Sequence, residues 1–306
     1  MSTAPVLPDK PKRRGLAIGI AIAVVAVLAI IAAIVIPRLT AASSEKTVVK
    51  LGTTDASQGH WPVLQKLLAE QNIDLQIVPF TDYKTPNPAL ADGSIDLNAF
   101  QHIDYLSNHN VATGDDLRVV GATLIVPLPL YSTKYTDVAS IPDGSRIAIP
   151  NDATNQARAL RVLEAAKLIT LADVTVPTPA DVTGGTVTVE PVEANQTASA
   201  LNDPQIAGAI VNNNFATDAG LIGKQIFEVD PSKLTEGDRS YVNIIASRPG
   251  EEDNPVFQKV WELYHDPSVT KIIEQESSNT AKVLDVSTND VRQWLKDAEA
   301  AKKAKP

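Results

Sequence analysis

The pattern of apolar and polar positions divides the chain into two parts. Residues 15–36, GLAIGIAIAVVAVLAIIAAIVI, are 22 consecutive uncharged residues, almost all aliphatic. As a helix rising about 1.5 Å per residue they span roughly 33 Å, enough for the hydrocarbon core of a bilayer. Lys10, Lys12, Arg13 and Arg14 precede them, and such an excess of positive charge marks a cytoplasmic flank. The pattern predicts a cytoplasmic N-terminus at 1–14, a transmembrane signal anchor at 15–36 and a linker at 37–46. The body then lies on the extracytoplasmic side of the cell membrane, held by a single pass. A cleaved signal peptide is the competing reading, with Thr40-Ala41-Ala42 as a tolerable cleavage site. Its apolar region normally runs about 7 to 15 residues, shorter than this one.

From Thr47 the pattern alternates between strand and helix periods. Thr47–Thr54 is a β-branched strand, and Trp61–Gln71 is a helix with Leu64, Leu67 and Leu68 along one face. Leu75–Phe80 reads as a strand, followed by turns at Pro86-Asn87-Pro88 and Asp92-Gly93, a second short strand at Ile95–Phe100 and then a helix. Leu117–Pro127 is a nearly continuous apolar strand, long enough to leave one sheet and approach another, and Pro127 and Pro129 mark a crossover between domains. Beyond it come a strand at Ser145–Pro150, a helix at Asn155–Ala166, and strands at Thr186–Val192 and Ile206–Val211. Ile226–Val229 and Tyr241–Ser247 resemble a return crossover, and helices follow at Asn254–His265 and Ser268–Glu276. Such alternation predicts an α/β fold with parallel sheets covered on both faces. Residues 173–183 read as a loop, and 297–306 as a frayed charged helix or a disordered tail.

Charge and composition narrow the function classes. The net charge of −9 over 306 residues is uneven, +3 on residues 1–45 and −12 on the rest. An acidic body argues against nucleic acid as a partner, because counterion release needs clustered basic residues. With no cysteine, disulfides, thiolate catalysis, Cys-ligated zinc and a lipidated cysteine are all excluded. The four histidines do not form a metal-ligand spacing: His102 and His109 stand seven apart, two helical turns, with no third ligand between. HExxH, GxSxG and P-loop motifs are absent. Asp82, Asp92 and Asp96 read as turn and cap residues. The expectation is a protein that is not an enzyme and carries neither cofactor nor metal.

Candidate binding residues cluster where strands give way to helices, the ends at which ligands gather in open α/β sheets. Tyr83 lies at the mouth of one strand, and Phe100, Gln101 and His102 close the next. Taken singly, Tyr83, Phe100 and Tyr105 read equally well as core aromatics. PNDATNQAR, Pro150–Arg158, again follows a strand and opens a helix, whose unpaired N–H groups suit a carboxylate. Arg158 follows Asn155 by three residues, on the same helix face, and its guanidinium can take a carboxylate bidentately. The alternative is that Asp152 only caps this helix and Arg158 pairs with a surface acid. Asn212, Asn213 and Asn214 follow the strand at Ile206, and Asn243 lies in the return segment. Together these residues offer donors for a carboxylate, acceptors for an ammonium and an aromatic enclosure, the inventory of an amino-acid site.

The ordered segments FTDYKTPNPALADGSIDLNAFQH, LYSTKYTDVASIPDGSRIAIPNDATNQARAL, AIVNNNFA and YVNII resemble the methionine-binding lipoprotein family, the substrate-binding proteins of ABC importers, from about Thr47 to Glu276. The resemblance implies a two-lobe fold of the periplasmic-binding-protein type II class with two crossover strands. Lobe 1 would comprise 47–128 plus 228–296, lobe 2 would comprise 129–227, and 297–306 would be a tail. It also implies that Tyr83, Phe100, His102 and Tyr131 line a pocket for a thioether side chain, with Tyr105 a weaker candidate. Arg158 and the helix start at Asn155 would hold the α-carboxylate, and Asn212, Asn214 and Asn243 would contact the ligand's polar groups. The implied function is capture of methionine, foremost L-methionine, by a monomer that delivers it to an ABC permease in the membrane. Another amino acid, the opposite enantiomer, a methionine-containing dipeptide, or an anchored receptor without a transport role stay open as alternatives. The chain departs from the family in lacking the lipidated cysteine, in placing Lys167 where the family tends to have glycine, and in residues 174–185.

Overall fold

The computed structural model describes residues 46–229 and 236–304. The expected cytoplasmic stretch 1–14, the membrane anchor 15–36 and all but the last residue of the linker lie outside them. Among the described residues no helix is long and apolar enough to cross a membrane.

The chain runs through β1 (Thr47–Thr53), α1 (His60–Glu70), β2 (Ile73–Pro79), α2 (Pro86–Ala91), β3 (Leu97–His102), α3 (Ile103–Thr113), β4 (Arg118–Ala122) and β5 (Leu124–Ile125). It continues through β6 (Leu130–Tyr131), β7 (Ser145–Pro150), α4 (Ala153–Ala165), β8 (Ile169–Leu171), β9 (Val182–Gly185), β10 (Val187–Val192) and α5 (Thr197–Ala200). Then come β11 (Ile206–Ile210), α6 (Asn213–Asp218), β12 (Gln225–Phe227), β13 (Asn243–Ser247), α7 (Pro255–Tyr264), α8 (Pro267–Glu276), β14 (Lys282–Val283) and α9 (Thr288–Lys303).

Two five-stranded sheets organise these elements, ordered β2-β1-β3-β13-β4 and β10-β7-β11-β6-β12. In the first, β1 is parallel to β2 and β3, while β13 is antiparallel to both β3 and β4. The second repeats the scheme, with β7 parallel to β10 and β11, and β6 antiparallel to β11 and β12. The expected parallel sheets are therefore mixed. Each admits a strand from a segment that passes between the sheets, and such a segment arrives in the reverse direction.

Alternation along the strands fills a core on each face. Val120 and Ile245 face Trp61, Leu64, Phe257 and Val269, whereas their neighbours Val119 and Ile244 face Leu106, Val291 and Leu295. In β7, Ile147 and Ile149 join Leu160 and Leu163 on one side, and Ala148 joins Leu201 and Ala216 on the other.

Several boundaries differ from the sequence reading for identifiable reasons. The strand expected at Ile95–Phe100 runs to His102, because α3 starts with no intervening loop and His102 serves as its N-cap. The long strand expected over Leu117–Pro127 breaks at Thr123, whose N–H bonds the Asn243 carbonyl at 2.8 Å. Beyond the break, β5 pairs with β14 instead of the sheet. Part of the expected loop at 173–183 is β9, paired with β8. Residues 297–303 of the expected tail are the end of α9, docked on the fold: Lys302 meets Asp104 at 2.7 Å, and Asn110 Nδ2 donates to Glu299 Oε1 at 2.8 Å.

Lys167 adopts the left-handed conformation its position demands, with φ at 61°. The N–H of Lys167 bonds the Glu164 carbonyl and that of Leu168 bonds the Leu163 carbonyl, which closes α4 in a Schellman motif. A side chain in this conformation costs roughly 1–2 kcal/mol, part of which glycine gives back as unfolded-state entropy. Lys167→Gly should therefore raise unfolding stability by about 0.5–1 kcal/mol in urea denaturation; an unchanged or lower midpoint would show that the turn carries no such strain.

Candidate functional site

The carboxyl ends of β1 and β3 in the first sheet face the starts of α4 and α6 from the second. Between them lies a cavity of about 90 Å³. Tyr83, Phe100, His102, Asn155, Arg158, Asn212, Asn214 and Asn243 all line it.

One wall is aromatic. The rings of Tyr83 and Phe100 lie 6.0 Å apart, Phe100 and Tyr105 5.7 Å, and Tyr83 and Phe215 5.2 Å. Tyr105 donates its hydroxyl to the Tyr83 carbonyl at 2.8 Å, and Tyr83 donates to Asn214 Oδ1 at 2.5 Å. Burial pushes both phenols well above their ordinary range, so they serve as neutral donors. Behind this wall three buried amides bond one another: Asn87 Nδ2 to Gln101 Oε1, Asn98 Nδ2 to Asn87 Oδ1, and Gln101 Nε2 to Asn98 Oδ1. The network ties the segment after Tyr83 to β3, so the two sides of the wall hold a fixed spacing.

His102 joins this wall to the polar side. Its Nδ1 accepts from the Tyr105 N–H at 3.1 Å, which assigns the hydrogen of the neutral ring to Nε2. Nε2 is buried and, among the described residues, makes no hydrogen bond of ordinary geometry, although the Asn155 side chain lies beside it. Burial is the main reason that the pKa falls from 6.5 to about 4; Asp104 and the adjacent Asn155 side chain oppose the fall and Arg158 adds to it.

The polar side comes from α4 and α6. Asp152 caps α4 by accepting from the Asn155 N–H at 3.0 Å. Among the described residues, however, Arg158 makes no ion pair with a surface acid. Its Nη2 donates to the Val126 carbonyl at 2.6 Å, and its guanidinium carbon sits 4.5 Å from the centroid of the Tyr241 ring. Burial lowers its pKa, and the nearby Tyr241, Asp238 and Tyr83 oppose that. Asn212 Nδ2 donates to Asn155 Oδ1 at 2.9 Å, leaving Asn212 Oδ1 buried without a partner. Asn243 pairs with His102 in the sheet register.

Tyr131 stands elsewhere. It is 2% exposed in β6, paired with Ala209 and Gln225, and packs among Ala148, Leu201 and Ala216. It does not line the cavity, because β6 runs through the second sheet and the register fixes Tyr131 on an inner face. Sequence reasoning missed Thr54, which lines the cavity and carries no signal, and Phe215, whose ring backs Tyr83 and which, as an aromatic directly after Asn212-Asn213-Asn214, was a usable signal.

Further bonds join elements of the two sheets around the cavity: Asn214 Nδ2 to Thr54 Oγ1 at 3.2 Å, Ser57 Oγ to Asp218 Oδ1 at 2.8 Å, Asn195 Nδ2 to the Thr81 carbonyl at 3.0 Å, and Lys84 to Glu193 at 2.7 Å.

A cation, an unpartnered donor and an unpartnered acceptor thus face an aromatic wall in one small cavity, an arrangement suited to a zwitterion with an apolar side chain. Comparison with known proteins places the chain. Residues 49–285 match the NlpA lipoprotein family. The chain belongs to that family. It is 35% identical over 227 residues to the D-methionine-binding lipoprotein MetQ of Salmonella typhi, covering 72% of this chain and 82% of that one. Among solved structures, protein PG110 from Staphylococcus aureus aligns with a TM-score of 0.77 and 34% identity, over 82% of this chain and 99% of that chain. The substrate-binding protein of a methionine transporter from Streptococcus pneumoniae aligns with a TM-score of 0.71 and 35% identity, over 78% and 95%. The α/β periplasmic-binding-like fold is that of these NlpA relatives.

The depressed His102 pKa links stability to pH. Between about 4 and 6.5 the unfolded chain holds a proton that the folded protein excludes, so stability falls as pH drops through that window and levels off below it. His60, buried with a lowered pKa, acts in the same direction. At about 1.4 kcal/mol per unit, the His102 share is roughly 3 kcal/mol. His102→Asn keeps an N-cap acceptor for α3 and should flatten unfolding free energy against pH by about that amount; an unchanged slope would count against a buried neutral imidazole.

Proposed function

We propose that this NlpA-family protein captures methionine, L-methionine foremost, outside the cytoplasm and delivers it to the permease of an ABC importer. The observation that carries this reading is the convergence of Arg158, the unpartnered His102 Nε2–H and the unpartnered Asn212 Oδ1 on one aromatic-walled cavity. Arg158 takes the α-carboxylate, beside the start of α4 at Asn155. Asn212, Asn214 and Asn243 meet the remaining polar groups, and Tyr83, Phe100, His102 and Tyr105 enclose the thioether, whose sulfur gains about 0.3–1.5 kcal/mol per aromatic contact. The names of the Salmonella and Streptococcus relatives support methionine as the ligand.

In this reading the two sheets with their helices are the two lobes, 47–128 plus 228–296 and 129–227. They are joined by two crossover strands in the type II manner, and α9 carries the first lobe on into the expected tail. The ligand bridges the lobes and shifts the population toward the form that docks on the permease. The protein works as a monomer, without catalysis or cofactor. Residues 15–36 hold it to the membrane in a single pass, which keeps it at high local concentration beside its permease.

Thermal unfolding of the full chain in mild detergent, refolded to remove carried-over ligand, tests the reading against L-methionine, D-methionine, glycyl-methionine and other amino acids. At 100 times its dissociation constant a ligand stabilises by about 2.7 kcal/mol, which raises the midpoint by roughly 5–10 °C. L-Methionine should give this shift, and Arg158→Ala and Asn243→Ala should abolish it. A shift only with another ligand would overturn the specificity, and no shift with any ligand would overturn the binding function.

A further inference from the structure

Two of the proposed ligand contacts, Arg158 and His102, meet on a third side chain that does not line the cavity. Tyr241 ends the helical turn Glu236–Tyr241, directly before the buried Val242 and two residues before Asn243. The Arg158 guanidinium carbon lies 4.5 Å from its ring centroid. The His102 imidazole meets the same ring edge-on, with centroids 5.6 Å apart and planes at 88°. The chain around Tyr241 is itself fixed, because the next carbonyl, that of Val242, accepts from the Ile103 N–H at 3.1 Å. Ile103 is the first residue of α3, the helix that His102 caps. Tyr241, His102 and the start of α3 therefore form one rigid group on the first sheet, and Arg158 reaches it from α4 on the second.

An arginine side chain has many rotamers, and ordering it at the moment of binding costs affinity. Here the guanidinium is ordered by two partners from different segments, the Val126 carbonyl after β5 and the Tyr241 ring before β13. The carbonyl fixes one nitrogen, while the ring face fixes the plane and leaves the other edges free for a carboxylate.

We infer that Tyr241 is a positioning residue which, through this ring, presets Arg158 and His102 and so sets the preference for ligands with a free α-carboxylate. The inference rests on the methionine-binding reading. It separates two roles for the YVN segment: Asn243 touches the ligand, and Tyr241 acts through Arg158.

The test compares the full chain in detergent with Tyr241→Phe and Tyr241→Leu, titrated calorimetrically with methionine and with methioninamide, which lacks the carboxylate charge. Tyr241→Phe keeps the ring face and should keep both affinities within about threefold. Tyr241→Leu should bind methionine about tenfold more weakly while methioninamide changes less than about threefold, so the ratio of the two contracts. Equal weakening toward both ligands, or none, would overturn the inference, because a purely structural role does not distinguish them. Should Tyr241→Leu lose cooperative unfolding, Tyr241→Met replaces it, with similar length and no ring. A second readout needs no ligand: the Arg158 Nε–H resonance should carry an upfield ring-current shift that Tyr241→Phe retains and Tyr241→Leu loses. If the unaltered protein binds neither ligand, the methionine reading fails and with it the preference assigned to Tyr241; an absent ring-current shift refutes the positioning by itself.

Discussion

The arrangement depends on a guanidinium that is desolvated without being neutralised. A surface arginine paired with an acid would contribute little and recognise nothing, because exposed ion pairs are worth about 0–1 kcal/mol and their donors are already taken. Arg158 is partly buried, with a carbonyl and a ring as its partners. Neither cancels its charge. The cavity lining also holds the carboxylates of Asp55 and Glu276, but the side chains proposed to touch the ligand are neutral amides, phenols and an uncharged imidazole, so Arg158 is the one positive charge among them. The low His102 pKa belongs to the same design: Arg158 helps burial keep the imidazole neutral, so that it presents a hydrogen-bond donor instead of a second cation.

Sheet topology is what brings these groups together. Arg158 and Asn155 lie at the start of α4, after β7; Asn212 and Asn214 lie at the start of α6, after β11; Phe100 and His102 close β3. These positions converge only because β13 returns, after the whole second sheet is complete, to lie between β3 and β4. Its first residue, Asn243, pairs with His102, and its carbonyl takes the Thr123 N–H. The return strand thereby pins the end of the pocket wall and the start of the outgoing crossover at one point.

Much of this was legible in the sequence, and what was not has physical causes. Local chemistry was readable: Asp152 before a helical period fixes a cap, Pro and Gly clusters fix turns, and the aliphatic run at Leu117–Pro127 marks the exit from the first sheet. Long-range pairing was not. The mixed character of both sheets, the break at Thr123 and the inward register of Tyr131 are all set by strands far away in sequence. The period of two that reveals a strand does not reveal its neighbour. The same limit hid Tyr241, whose ring meets Arg158 from another sheet, and Phe215, whose ring packs on Tyr83 from the other sheet. Lys167 is the converse case, since a local helix-stop geometry dictates left-handed φ whatever residue stands there.

The bonds joining the two sheets bear on how binding would drive closure in the proposed mechanism. Those at the rim are modest: the Lys84–Glu193 pair is well exposed, with side chains 64% and 40% accessible, and such pairs contribute little. Those at the cavity join neutral groups, as between Tyr83 and Asn214. Against them stand the buried His102 Nε2 and Asn212 Oδ1, which make no hydrogen bond of ordinary geometry among the described residues, and a buried group left unsatisfied costs about 1–3 kcal/mol. The two terms act in opposite directions on closure by the protein alone. A ligand that satisfies both groups and meets the Arg158 charge adds contacts that exist only when the halves are together. A difference of that kind is what moves a two-state equilibrium, since a ligand with equal affinity for both states shifts nothing however tightly it binds.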